Sequence, residues 1–268
     1  MSRNFDPYRG RRGVRGKRTA ATDSTLDFAF SMAFQPIVDM RDLSVFAYEA
    51  LVRGPGDSPA ADVLARVTSA NRHAFDQQCR MRAIETASQL GITVRLSVNV
   101  MPAAAQDAGS ALRATQAVAL HAGITCDRIV FEASEVDRLT DPLGFRAVMG
   151  EYKRHGFETA IDDFGDGFAS LSFLADFQPD YLKLDMNLIR GVDTDKPRQA
   201  IVAGITKVAE LIGTTIIAEG VETAAEMRTL RDLGIPIMQG YLFAAPALEA
   251  LPCVELCRHE GVRRGRRA

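Results

Sequence analysis

Between about Ser31 and Phe243 the chain alternates short apolar runs with longer amphipathic stretches. The runs are AFQPIVD (33–39), VFAYEALV (45–52), VRLSVNV (94–100), RIVFEA (128–133), TAIDDF (159–164), YLKLD (181–185), TIIAE (215–219) and IMQGYLF (237–243). Their length and their β-branched and aromatic content predict strands. The stretches between them predict helices over roughly 71–90, 109–122, 142–155, 196–212 and 224–233. Punctuation supports two helix starts. Ser58 with Pro59 reads as a cap followed by a first-turn proline, and Asp141 with Pro142 opens a helix that Gly156 closes.

Strand followed by helix, repeated without a long break, predicts a parallel sheet. The repeat spans about 220 residues, the usual size of a (β/α)8 barrel. An open doubly wound sheet is the rival, but no GxGxxG follows the first runs, which disfavours its dinucleotide-binding form. Only MRDLS separates the first two runs, so they read as a hairpin with one strand antiparallel to its neighbour. The expected fold is therefore α/β, a modified (β/α)8 TIM barrel with one antiparallel strand. The expected layout is a basic tail over 1–28, the barrel over 29–252, and a helix end with a second basic tail over 253–268.

Composition changes this picture little, and charge changes it more. With 47% hydrophobic and 25% charged residues the chain is ordinary for a globular fold. The net charge of −2 conceals an asymmetry: residues 1–18 carry seven Arg or Lys against Asp6, and residues 258–268 carry five Arg against Glu260. The body between these ends is strongly acidic, which argues against a nucleic-acid-binding core. The tails could meet an acidic protein partner, RNA or anionic lipid; the plainer expectation is solvated ends. Cys79, Cys126, Cys253 and Cys257 form no disulfide framework. No Cys or His pair completes a zinc site beside the last two. They read as packing residues in a reducing compartment. TAATDSTLDF lacks an apolar h-region and no run is long enough to span a bilayer, so no signal peptide or membrane span is expected and a cytoplasmic location is.

The chemistry lies at the ends of the runs. Glu49 is near the end of the second, and Asn99 is in the third. Glu132 ends the fourth, with Glu135 just beyond. Asp162 and Asp163 are in the fifth. Lys183 and Asp185 are in the sixth, Glu219 ends the seventh with Glu222 following, and Gln239 is in the eighth. Each alone has an ordinary explanation as a cap, turn or solvated residue. As a set they would converge, because a closed barrel brings all the strand C-termini to one rim. Burying so many carboxylates without cations costs several kcal/mol each. Oxygen donors with one amide and no Cys or clustered His suit a hard divalent ion such as Mg2+ or Mn2+. An Asp shared between two such ions would explain the Asp162–Asp163 pair, and two ions are apt for phosphodiester cleavage.

These residues stand in motifs that are specific in combination. FQPIVD, YEALVR (with Glu49-Ala50-Leu51), LSVNV, FEASE, IDDFGDGFASL, PDYLKLD, IAEGVET and QGYLF occur in this order over roughly residues 31–250. The chain thereby resembles the EAL domain family of bacterial cyclic di-GMP phosphodiesterases, and most closely the EAL domains found behind blue-light-sensing flavin domains. No flavin domain is expected within these residues. The resemblance implies that cyclic di-GMP is opened to linear pGpG with two Mg2+ or Mn2+ ions. It implies that Glu49, Asn99, Glu132 and Asp162 hold one ion, and that Asp162, Asp163 and Glu219 serve the other. Lys183 would orient the water and Glu219 act as base, either directly or through its ion. Arg53 would hold a substrate phosphate, Gln35 would sit near a guanine or its ribose, and Glu222 and Gln239 would complete the floor of the site. Glu135 would brace the loop after Asp163, and a homodimer is implied. That loop departs from the family's usual DDFGTGYSSL: Asp166, Phe168 and Ala169 stand where Thr, Tyr and Ser are common. A non-hydrolysing receptor of the same fold is the alternative function, and a scaffold acting through the basic tails is a third.

Overall fold

A computed structural model of the chain describes residues 26–101, 108–134, 141–165 and 171–254. Glu135, Asp166, Phe168, Ala169, Cys257 and the basic residues of both tails lie outside the described residues.

Eight strands close into a barrel: β1 (Ser31–Asp39), β2 (Ser44–Arg53), β3 (Arg95–Asn99), β4 (Ile129–Ser134), β5 (Glu158–Phe164), β6 (Tyr181–Leu184), β7 (Thr215–Ala218) and β8 (Ile237–Gln239). Strands β2 to β8 pair in sequence order and in parallel. β1 pairs antiparallel with both β2 and β8 and so completes the ring. The hairpin expected from MRDLS is the β1–β2 pair. A ninth strand of two residues, β9 (Ala247–Leu248), adds to the free part of β1 outside the ring and was not anticipated.

Helices α1 (Ala60–Leu64), α2 (Arg72–Gln89), α3 (Ala108–His121), α4 (Pro142–Arg154), α5 (Ser172–Asp176), α6 (Met186–Ile189), α7 (Lys196–Ile212) and α8 (Ala224–Asp232) fall between the strands. Their ends follow local chemistry. Asp141 accepts from Gly144 N at 3.0 Å with Pro142 next to it, and Asp195 caps α7. Thr223 and Glu226 form a reciprocal capping box on α8. The expected role of Ser58 differs. Pro59 occupies the cap position of α1 without a side-chain bond, because Ser58 is paired through its backbone with Gly54.

Alternation along the strands divides the interior into two cores. Outward-facing residues such as Phe34, Leu96, Phe131, Ile161, Leu182 and Met238 pack with the helices in one large cluster. Inward-facing Ile37, Ala47, Val130, Ala160, Tyr181, Ile217 and Ile237 form a small apolar plug inside the ring. One step of two residues further along each strand brings the next inward layer: Gln35, Glu49, Glu132, Asp162, Lys183, Glu219 and Gln239. The plug closes the barrel below them, so this polar layer can open only toward the C-terminal rim.

β8 is shorter than the apolar run suggests because the chain turns sharply at Gly240. A Cβ there would stand 2.1 Å from Val221 O and 2.4 Å from Val221 N, so only glycine lets β8 approach the segment after β7. Gly240→Ala is expected to cost about 2 kcal/mol by overpacking, or roughly 4–8 °C in Tm at this chain size. A thermal melt within 1 °C of wild type, to order of magnitude, would show that the backbone yields there.

Candidate active site

At the centre of the polar layer lies Lys183, fully buried. Its Nζ is 2.7 Å from Glu219 Oε1, 2.9 Å from Glu132 Oε2, 3.0 Å from Asp162 Oδ1 and 3.7 Å from Glu49 Oε1. These acids come from four different strands or strand ends. Glu132 is fully buried and Glu49 nearly so, while Asp162 and Glu219 keep a sixth of their side-chain surface. The five converging acids, Asp163 included, exceed the one ammonium by four charges.

The protonation equilibria record that excess. Burial, with the charges of Glu49 and Asp162, pushes the Glu132 carboxyl up to about 8 despite the pull of Lys183. Burial and Asp162 hold Glu219 well above the usual carboxylate range. Burial pulls the Lys183 ammonium down. Asp162, Glu132, Glu219 and Glu49 outweigh it and raise the ammonium well above the ordinary lysine value.

Adjacent Asp162 and Asp163 reach the same rim through a bulge. Ile161 faces Leu182 and Phe164 faces Leu184, so two aspartates on β5 oppose the single Lys183 on β6. Asp163 takes a φ of 59°, a left-handed conformation that aspartate tolerates better than most residues. Oxygens of Asp162, Asp163 and Glu219 thereby gather within 4.8 Å of one another, and oxygens of Glu49, Glu132 and Asp162 do the same. The two triads share Asp162. Its Oδ1 is buried and accepts no hydrogen bond even though Lys183 is close. Asn99 joins from β3, in register with Glu132, and gives its Nδ2–H to Glu49 Oε1 at 3.1 Å. An all-oxygen donor set with surplus negative charge and an unsatisfied buried oxygen fits a pair of hard divalent cations.

Neutral groups on the inward face of the strands hold the acids. Gln239 Nε2 donates to Glu49 Oε2 at 2.7 Å and to Gln35 Oε1 at 3.1 Å. Gln35 in turn donates to Ala244 O at 3.1 Å. Ser97 donates from β3 to Glu132 Oε1. The reading from sequence missed Ser97, although it lies two residues before Asn99 and therefore on the same inward face.

Two cavities meet over this layer, sharing Glu49, Leu51 and Asp162. One, of about 330 Å3, is acidic and bordered by Asp163, Asp185, Glu219, Glu222, Gln239 and Tyr241. The other, of about 410 Å3, is mainly apolar and runs between β2, β3 and α2 past Met32, Phe75, Cys79 and Met101. Asp185 borders the first while its Oδ1 caps α6 by accepting from Asn187 N at 2.7 Å. Glu222 borders it too, with its Oε1 paired to Arg190 at 2.8 Å. Arg53 ends β2 but borders neither cavity. Its guanidinium donates to Val52 O and lies 3.8 Å from Asp57. Gly220, at φ 65°, lets the chain after Glu219 pass Met186, where a Cβ would come within 2.4 Å of that side chain.

Comparison with known proteins decides the family. The EAL domain matches residues 22–246. The chain belongs to the EAL domain family. It is 30% identical over 223 residues to the blue light- and temperature-regulated antirepressor BluF of Escherichia coli K12, covering 83% of this chain and 55% of BluF. It is 30% identical over 164 residues to the cyclic di-GMP phosphodiesterase RocR of Pseudomonas aeruginosa, covering 60% of this chain and 41% of RocR. The chain thus spans about half the length, or less, of such relatives. Among solved structures, a standalone EAL protein from Vibrio cholerae O395 in its c-di-GMP bound form superposes with a TM-score of 0.83 at 43% identity, covering 86% of this chain and 97% of that one. The manganese and cyclic di-GMP complex of Klebsiella pneumoniae BlrP1 at pH 6 superposes with a TM-score of 0.80 at 33% identity, over 84% of this EAL protein and 57% of BlrP1. Among the described residues no helix is long and apolar enough to cross a membrane.

The raised Glu132 carboxyl gives a signed expectation. Between its ordinary 4.5 and about 8 the native state holds a proton that the unfolded state has released, so stability falls as pH rises through that window. Chelator-treated protein should melt at progressively lower temperature from pH 5 to pH 8, to order of magnitude of the window, and Glu132→Gln should reduce the slope. A wild-type Tm that rises across the window would contradict the shift.

Proposed function

We propose that this EAL protein hydrolyses cyclic di-GMP to linear pGpG with two divalent cations, Mg2+ or Mn2+. The observation that carries the reading is the pair of carboxylate triads sharing Asp162 around one buried lysine. Family membership, the phosphodiesterase RocR and the ligand-bound relatives support the substrate.

Glu49, Asn99, Glu132 and Asp162 would hold one cation, and Asp162, Asp163 and Glu219 the other. Bound there, the cations supply positive charge to the phosphodiester oxygens and lower the pKa of water. The chain's own residues do the rest. Lys183, held by Glu132 and Glu219, directs its third N–H at the attacking water. Glu219, at the open end of the layer, takes that water's proton. Arg53 grips a substrate phosphate as a planar fork once it leaves Val52 O and Asp57. Gln35 and Gln239, on the floor, border the guanine or its ribose. Asp185 and Glu222 shape the loops around the acidic cavity, and Glu135 braces the loop after Asp163, to which Asp166 belongs in the sequence.

Chromatography of c-di-GMP incubated with the protein and Mg2+ or Mn2+ tests the reading. The expected product is pGpG, absent with chelator, and reduced at least about 100-fold in Glu49→Ala, on the scale that loss of a positioned catalytic group carries. Binding of c-di-GMP without product would favour a receptor instead.

We further propose that the barrel over 29–252 is the catalytic unit, in the cytoplasm and as a homodimer, and that the basic tails serve a protein partner. Deletion of residues 1–20 should then leave turnover of c-di-GMP unchanged. Loss of turnover in a normally folded deletion would place the tail within the enzyme.

A further inference from the structure

Ser97 is 1% exposed and lies beneath the acidic mouth, in register with Glu49 on one side and Val130 on the other. Its hydroxyl donates to Glu132 Oε1, while Lys183 holds Glu132 Oε2 at 2.9 Å. The carboxylate is therefore pinned at both oxygens by two different strands, β3 and β6. This matters because the terminal torsion of a glutamate is broad and weakly restrained by itself. With Lys183 alone, the group could pivot about one oxygen. With both donors, its plane is fixed and its remaining lone pairs keep one direction.

We infer that Ser97 is a positioning residue that orients Glu132 for one of the two cation seats, an inference that rests on the metal-dependent reading above. The assignment is selective. Glu132 belongs to the triad with Glu49 and Asp162 and not to the triad of Asp162, Asp163 and Glu219. Ser97 touches the first triad only. Glu49 of that triad is restrained independently, through Gln239 and Gln35, so removing the hydroxyl frees Glu132 without releasing its partner. Outer groups that orient metal-binding carboxylates are commonly worth about 10–100-fold in metal affinity.

The test is a Mn2+ titration of the full chain without substrate, followed by the EPR signal of free Mn2+. Wild type should take up two ions in two resolvable steps. Ser97→Ala should weaken one step about ten-fold or more and leave the other within about two-fold. Asp163→Asn should weaken the other step. The two variants would thus separate the seats. A merely structural role for Ser97 would lower the Tm of the metal-free protein and leave both steps as they were, and that result would overturn the inference while the proposed function stood. Equal weakening of both steps would also overturn it, by showing a general loosening of the rim. Absence of Mn2+ uptake by wild type would overturn the proposed function and this inference together.

Discussion

A single buried ammonium surrounded by more negative charge than it can balance governs the architecture. Lys183 has no solvent to share its charge with, and four carboxylates from four different strands or strand ends lie within 4 Å of it. The barrel makes this arrangement possible because each strand delivers one inward side chain per layer. The apolar plug of Ile37, Ala47, Val130, Ala160, Ile217 and Ile237 seals the layer below. A charge deficit of this kind in a low-dielectric setting creates a strong local demand for cations. The demand is structural before it is catalytic: burial, together with the same repulsion that would favour bound metal, raises the carboxyls of Glu132 and Glu219 when metal is withheld.

Much of this was legible in the amino-acid order, for identifiable reasons. Strand period and helix punctuation are local properties, so α4 and the β1–β2 hairpin fall where the cap and the turn predict. The converging acids were legible because each sits at the same end of an apolar run, where chemistry stands out against hydrophobic neighbours. Less legible was how two consecutive aspartates could reach one rim. The answer is a bulge and a left-handed φ at Asp163, and neither has a marker in DDF itself. Ser97 escaped because an uncharged hydroxyl in a run of Leu and Val looks incidental.

Long-range partners were the other blind spot. Gln35 lines the acidic cavity, and its amide is also engaged by Ala244 O, 209 residues away, and by Gln239. Glu222 meets Arg190 across two loops. Asp76 and Arg80, one helical turn apart on α2, have the spacing of an exposed pair. Both are buried instead: Arg80 reaches Tyr152, and Asp76 accepts from Met101 N just beyond Asn99. Burial raises the Asp76 carboxyl, with Arg80 and Met101 N–H opposing. Which helix face is covered depends on neighbours distant in the chain, and no local pattern records it.

The reversal of β1 has a geometric consequence for how the chain enters and leaves the barrel. In an all-parallel barrel the polypeptide starts its first strand at the floor, remote from the reaction end. Here Ser31 stands opposite Arg53, the last residue of β2, while Leu248 lies against Ala33. The inbound and outbound segments of the barrel therefore share one collar, four residues upstream of Gln35 on the first strand. Both segments therefore meet the barrel at the end that carries the acids, opposite the end closed by the apolar plug.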